Sequence, residues 1–139
     1  MLLATLISFV LFGGCGAAHY VVLSRVHGWL ERRSWSRGTK LVVCLYTAGL
    51  AHVGEAGLYA GGFLLGQRLG LGGFRKDAAM TVMDTFYFSM VNFTSLGLGS
   101  IYPSGHLRLI AAVESLNGFL LITCSASFVY LLMSGQQSR

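Results

Sequence analysis

Thr94-Ser95-Leu96-Gly97-Leu98-Gly99-Ser100 is the stretch that decides how this chain folds. A hydroxyl residue followed by glycines two apart suits a backbone whose successive carbonyls point the same way. Gly97 and Gly99 can take positive φ at little cost, which L-residues resist. Four such strands around one axis make rings of oxygen that replace the water around a cation. Upstream lies an amphipathic run, residues 82–94, too short to cross a bilayer. Downstream come Ile101-Tyr102-Pro103 and then a long apolar run. The short run therefore reads as a re-entrant helix that enters from outside and is tolerated only where protein surrounds it. Its carbonyl end then faces the membrane centre, where it favours a cation.

On these residues the segment from Asp84 to Ser127 resembles the small bacterial potassium-channel-like "ion channel" family of the pore-loop superfamily. The resemblance rests on Tyr87-Phe88-Ser89 in the pore helix, on Val113-Glu114-Ser115-Leu116-Asn117-Gly118 in the inner helix, and on the filter. Here the filter reads Ser-Leu-Gly-Leu-Gly-Ser where the family form is Thr-Val-Gly-Tyr-Gly-Asp. The resemblance implies K+ coordinated by the carbonyls of Ser95, Leu96, Gly97 and Leu98, with Gly99 completing the filter. The Ser95 hydroxyl would close the inner site, and Leu96 and Leu98 would pack outward against the pore helix. Tyr87 and Thr94 would support that helix. Gly118 lies where related channels bend, so it is a hinge candidate, with close helix packing as the other reading. Leu98 in place of Tyr removes a bracing hydrogen bond. Ser100 in place of Asp removes a carboxylate from the outer mouth.

Composition agrees with a bilayer as solvent. The 139 residues are 54% hydrophobic and 11% charged, with a net charge of +5. A soluble domain of this size has too little interior to hide that much apolar surface. The fold class expected is all-α integral membrane, residues 1–139 forming a single membrane domain. Residues 2–24 carry no Lys, Arg, Asp or Glu and are long enough to span. Lacking a basic start, they read as a retained helix rather than a cleaved signal peptide. Residues 25–40 form a basic connector with Arg25, Arg32, Arg33, Arg37 and Lys40, which places it in the cytoplasm. Trp29 and Trp35 fit headgroup depth. A short helix lying on anionic headgroups at Arg32, Arg33 and Arg37 is one reading, simple anchoring another. Residues 41–66 are the outer pore-domain helix, 67–80 a mobile outer connector, 82–101 the pore helix and filter, and 105–133 the inner pore-lining helix. Asp77 or Thr81 would cap the pore helix. The N-terminus is then outside and the C-terminus cytoplasmic, in a plasma (inner) membrane. Each chain brings one pore loop, so a ring of four oxygens requires a homotetramer.

Ionisable residues at membrane depth are costly and mark function. His52 and Glu55 share a helix face at i, i+3 and sit ~18–22 Å above the cytoplasmic end, while Glu114 sits ~13 Å below the outer end. These depths nearly coincide, so His52, Glu55, Glu114 and Asn117 are expected to form one buried polar cluster behind the filter. It would act as a static brace or as a pH-sensitive gate. His19, placed near the inner end of the first span, reads as interfacial packing. A haem held by His19 and His52 is disfavoured by their unequal depth.

Cys15, Cys44 and Cys124 each lie in an apolar run and read as small packing residues. No Cys-x-x-Cys pair, nucleophile pairing, voltage-sensing helix or nucleotide or calcium motif stands out. The expectation is a cation channel that is not an enzyme, conducts potassium, needs no cofactor beyond permeant K+ and binds no nucleic acid. A weakly selective channel and a non-conducting scaffold that keeps the pore fold remain as alternatives.

Overall fold

Thr81 and Asp84 settle where the short helix begins. The Thr81 hydroxyl accepts from the Asp84 amide at 3.1 Å, and the Asp84 carboxylate accepts from the Thr81 amide at 2.9 Å. This reciprocal capping box satisfies amides that the first turn leaves open. In the computed structural model, which describes residues 1–76, 79–97 and 99–134, the order is α1 (Leu2–Glu31), α2 (Arg37–Arg68), β1 (Phe74–Arg75), α3 (Val82–Phe93), β2 (Tyr102–Pro103) and α4 (Leu107–Ser134). Asp77, the other candidate cap, lies outside the described residues.

Three of the helices are long and apolar enough to cross a membrane: α1, α2 and α4, with mean hydropathy 1.9, 1.4 and 1.8. At 30, 32 and 28 residues they exceed the ~20 that a hydrocarbon core needs. The boundaries correct the sequence reading. Residues 25–31 continue α1 and residues 37–40 begin α2, so the basic connector shrinks to 32–36. Charge does not end a helix; it only needs to reach water, and the i→i−4 ladder continues until another feature stops it. α1 ends at Glu31 with Arg32 as its C-cap, and Ser36 starts α2, its hydroxyl accepting from the Thr39 amide at 3.2 Å. No separate surface helix forms. Instead Trp29 and Trp35 meet edge to face at 5.2 Å, and the Arg33 guanidinium lies 5.2 Å from the Trp29 ring.

Where it is described, the glycine-rich connector after α2 is held by backbone pairing. Phe74 and Arg75 pair antiparallel with Pro103 and Tyr102. The Ser104 amide donates to the Gly73 carbonyl at 2.8 Å and the His106 amide to the Leu71 carbonyl at 2.7 Å. Gly72 and Gly105, with φ of 150° and 59°, let these backbones cross where a Cβ on either would strike the other strand. Phe74 then reaches inward, its ring 4.9 Å from Phe88 and 5.4 Å from Phe63. The core joins Tyr59 and Phe63 of α2, Phe93 of α3 and Leu107 and Ile110 of α4, with Cys15 of α1. The cysteines are free; Cys15 and Cys44 are buried, while Cys124 is exposed.

Candidate functional site

The backbone after α3 alternates in hand. Ser95, Gly97 and Gly99 have φ of 60°, 61° and 70°, while Leu96 between the first two does not take positive φ. For Ser95, a residue with a Cβ, positive φ is uncommon and costs energy that its surroundings must hold. Its hydroxyl lies 3.2 Å from the Ser115 hydroxyl of α4, and Ser115 in turn donates to the Asn92 carbonyl at 3.0 Å. That corrects the expectation that the Ser95 hydroxyl closes an ion position, because it is turned onto α4. Leu96 is 68% exposed in the single chain rather than packed on its own pore helix. Leu98 lies outside the described residues. Tyr87 lines a small crevice with Asn92, Gly97 and Gly99, between α3 and the loop. Thr94 donates back to the Val91 carbonyl at 2.9 Å and so finishes the helix.

Gly118 is required by close approach. A Cβ there would collide with the Phe93 carbonyl, so the end of α3 rests directly on α4. Of its two sequence readings, packing is the one with a visible contact, and α4 runs unbroken through it.

The four polar residues expected in one cluster separate into three sets. Glu114 belongs with α3: the Ser89 hydroxyl contacts one of its oxygens and Asn92 donates to the other at 2.6 Å. Asn92 also donates to the Ala111 carbonyl at 2.8 Å. Ser89 lies 2.6 Å from the Ala56 carbonyl, which can only accept. Ser89 has one proton, so a neutral Glu114 carboxyl satisfies both contacts. Asn117 instead donates to the Tyr59 hydroxyl at 3.0 Å.

The third set is the least expected. Glu55 accepts from His19 Nδ1 at 2.8 Å and from His52 Nδ1 at 2.9 Å, one on each carboxylate oxygen. The two rings stack at 5.1 Å with an interplanar angle of 21°. On their far side Ser125 of α4 lies 3.1 Å from His19 Nε2 and 3.2 Å from His52 Nε2. Glu55 and His19 are buried and His52 is nearly so. A carboxylate accepts only, which puts a hydrogen on both Nδ1 atoms. Ser125 can donate to one Nε2 and accept from the other if that imidazole carries both protons, giving an ion pair with Glu55.

His19 lies at the depth of His52 for a physical reason. Since α1 runs to Glu31, His19 is 12 residues from its end, ~18 Å, and His52 is 15 residues from the start of α2, ~22 Å. The two histidines therefore meet. Glu114 is 11 residues from Ser125 on α4, ~16 Å, and cannot join them. A haem between the histidines fails on other grounds: both rings aim the same edge at Glu55, not at each other across a gap. Sequence reasoning missed Ser89, Asn92, Ser115, Tyr59 and Ser125 as partners. Only Ser89 and Asn92 left a trace, a polar pair at i, i+3 in the second half of the short helix.

A family model described as an ion channel matches residues 58–134, more than half of the chain. The match runs from within α2 through α3 and the glycine loop to the end of α4. No curated protein and no solved structure matches the chain significantly. With three membrane-length helices, a capped short helix packed between two of them and a loop of alternating hand after it, the chain belongs to this ion channel family.

Proposed function

We propose that four copies surround a common axis and conduct potassium through the loop 95–99. The carbonyls of Ser95, Leu96, Gly97 and Leu98 would replace the ion's hydration shell. The observation that carries this reading is the positive φ at Ser95, Gly97 and Gly99, every second residue. Such alternation brings successive carbonyls toward one side of the strand. Exposed apolar side chains support an assembly: Leu96 beside the loop and Leu116, Phe119 and Leu120 along one side of α4. In a ring of four, these surfaces face neighbouring chains or the pore. α3 is then re-entrant, with its carbonyl end toward the membrane centre. Arg32 and Arg33, between α1 and α2, and Arg37, the first residue of α2, favour a cytoplasmic side bearing anionic headgroups.

A weakly selective pore is the second reading. Ser100 supplies no carboxylate at the mouth, and Arg68, Arg75 and Arg108 flank the loop in sequence. Lys76 adds less positive field than its sequence position suggests, because it pairs with Asp84 at 2.6 Å. Reconstitution into planar bilayers under opposed K+ and Na+ gradients tests both readings. A reversal potential near that of K+ supports the first, one near zero the second. Silence in a bilayer containing folded tetramers sinks both and leaves a scaffold.

A further inference from the structure

We propose that His19, His52 and Glu55 form a binding site for a divalent transition-metal ion of the zinc type, tying α1 to the pore-domain helices. The candidate ligand atoms, one from each residue, lie within 4.8 Å of one another. Both histidines turn Nδ1 to the same carboxylate, at 2.8 and 2.9 Å. An ion between these atoms would take two imidazole nitrogens and one carboxylate. That donor set suits a borderline cation and leaves a fourth position for water. Bonds of ~2.0–2.1 Å place tetrahedral ligand atoms ~3.4 Å apart. The Nδ1–carboxylate pairs at 2.8 and 2.9 Å would therefore open slightly, while the widest ligand pair, within 4.8 Å, would close.

The surroundings fit Nδ1 ligation. A histidine that binds metal through Nδ1 carries its proton on Nε2 and needs an acceptor there. Ser125 lies 3.1 and 3.2 Å from the two Nε2 atoms, and its oxygen has two lone pairs, one for each N–H. The same hydroxyl therefore fixes both tautomers. The ligands come from α1 and α2 and the supporting hydroxyl from α4. His52 also packs against Phe93, 5.7 Å between ring centres, and Phe93 is the last residue of α3 before the loop. An ion here would fasten a helix outside the matched family region to the base of the pore helix. The site is independent of whether the pore conducts.

The test uses the full chain in detergent, stripped with a chelator and titrated with Zn2+ by calorimetry and with Co2+ by visible absorption. One ion per chain is expected, with the intense d–d bands of a four-coordinate Co2+ site. His19→Ala and Glu55→Gln should each weaken Zn2+ binding more than about 100-fold, and Ser125→Ala about tenfold, the size of a supporting-partner effect. Glu114→Gln should leave it unchanged. His27 and Glu31 form a surface pair at 3.3 Å that can hold metal adventitiously, so His27→Gln is included and should not reduce the stoichiometry. If the ligand variants fail to fold, X-ray absorption on the zinc-loaded native chain decides. Two imidazoles in the first shell support the site. No ion bound, a first shell without two imidazoles, or loss of the ion with His27→Gln overturns it.

Discussion

Two buried acids in this molecule are handled in opposite ways. Glu55 is met by two imidazoles, one per oxygen, and sits where α1, α2 and α4 converge. Glu114 is met by a hydroxyl and an amide from α3 and by no cationic side chain that the structure records as its partner. The first environment can balance a charge; the second is satisfied by a neutral acid. In a low-dielectric medium that difference decides what each can do. A balanced set can trade a proton or a metal ion, whereas a neutral acid held by fixed hydrogen-bond partners positions the helix that carries them. The contacts between α3 and α4 hold the short helix in place, and the contacts where α1 meets α2 are where the proposed ion would bind.

The harshest way to break the brace is Gly118→Val. Its side chain would meet the Phe93 carbonyl, and backbone cannot move aside as a side chain can. Overpacking costs ~1–3 kcal/mol where side chains yield, so more than that is expected here. Size-exclusion and thermal unfolding in detergent should show loss of the folded assembly. A well-folded Gly118→Val protein with altered gating would instead favour the hinge reading over close packing.

The comparison itself is tested by two substitutions run together. Glu55→Leu leaves two stacked imidazoles without their anion, and breaking a buried pair costs ~3–5 kcal/mol. Glu114→Gln keeps an acceptor for Asn92 and can donate to Ser89, so it should cost under ~1 kcal/mol. Unfolding midpoints would show this as a large drop for the first and a small one for the second. Equal losses would mean that Glu114 is held as a charge and that the contrast is false.

Much of this was legible beforehand because its chemistry is local. Hydroxyl, glycine, glycine at fixed spacing announces a loop of unusual hand, and Thr81 was one of two candidate caps for the short helix, beside Asp77. His52 and Glu55, three apart, had to share a face. The illegible parts are those set by pairing between distant helices. His19 lies 36 residues from Glu55, and only the true end of α1 fixes its depth. Two-residue strands such as Phe74–Arg75 carry no periodic signal at all. The basic run misled because positive charge marks a membrane side without marking a helix end.

A milder probe of the brace is Asn92→Leu. It removes two donations, to Glu114 and to the Ala111 carbonyl, and should cost ~1–3 kcal/mol. Combined with Glu114→Leu in a double-mutant cycle, a coupling of ~0.5–3 kcal/mol is expected, since the two groups are in contact. The same Asn92→Leu change crossed with Glu55→Leu should be additive, because no hydrogen bond joins the two sets. Non-additivity there would merge what the structure keeps apart.

The smallest effect belongs to the start of α3, and it has a pH signature. Asp84 is held at about 2, below the usual 3.8, first by its hydrogen bond to Lys76 and then by those to the Thr81 amide and hydroxyl. Its folded value is depressed, so what the carboxylate contributes is fully present above about pH 4. It is lost as pH falls from about 4 toward 2. Asp84→Asn should abolish that acid-side loss while leaving neutral-pH behaviour nearly intact, since an exposed pair contributes little. Hydrogen exchange of the first turn of α3, followed between pH 5 and 2 with the intrinsic rate corrected, reads it directly. Loosening with the same pH profile in Asp84→Asn would move the cause to another acid and leave the capping box as geometry only.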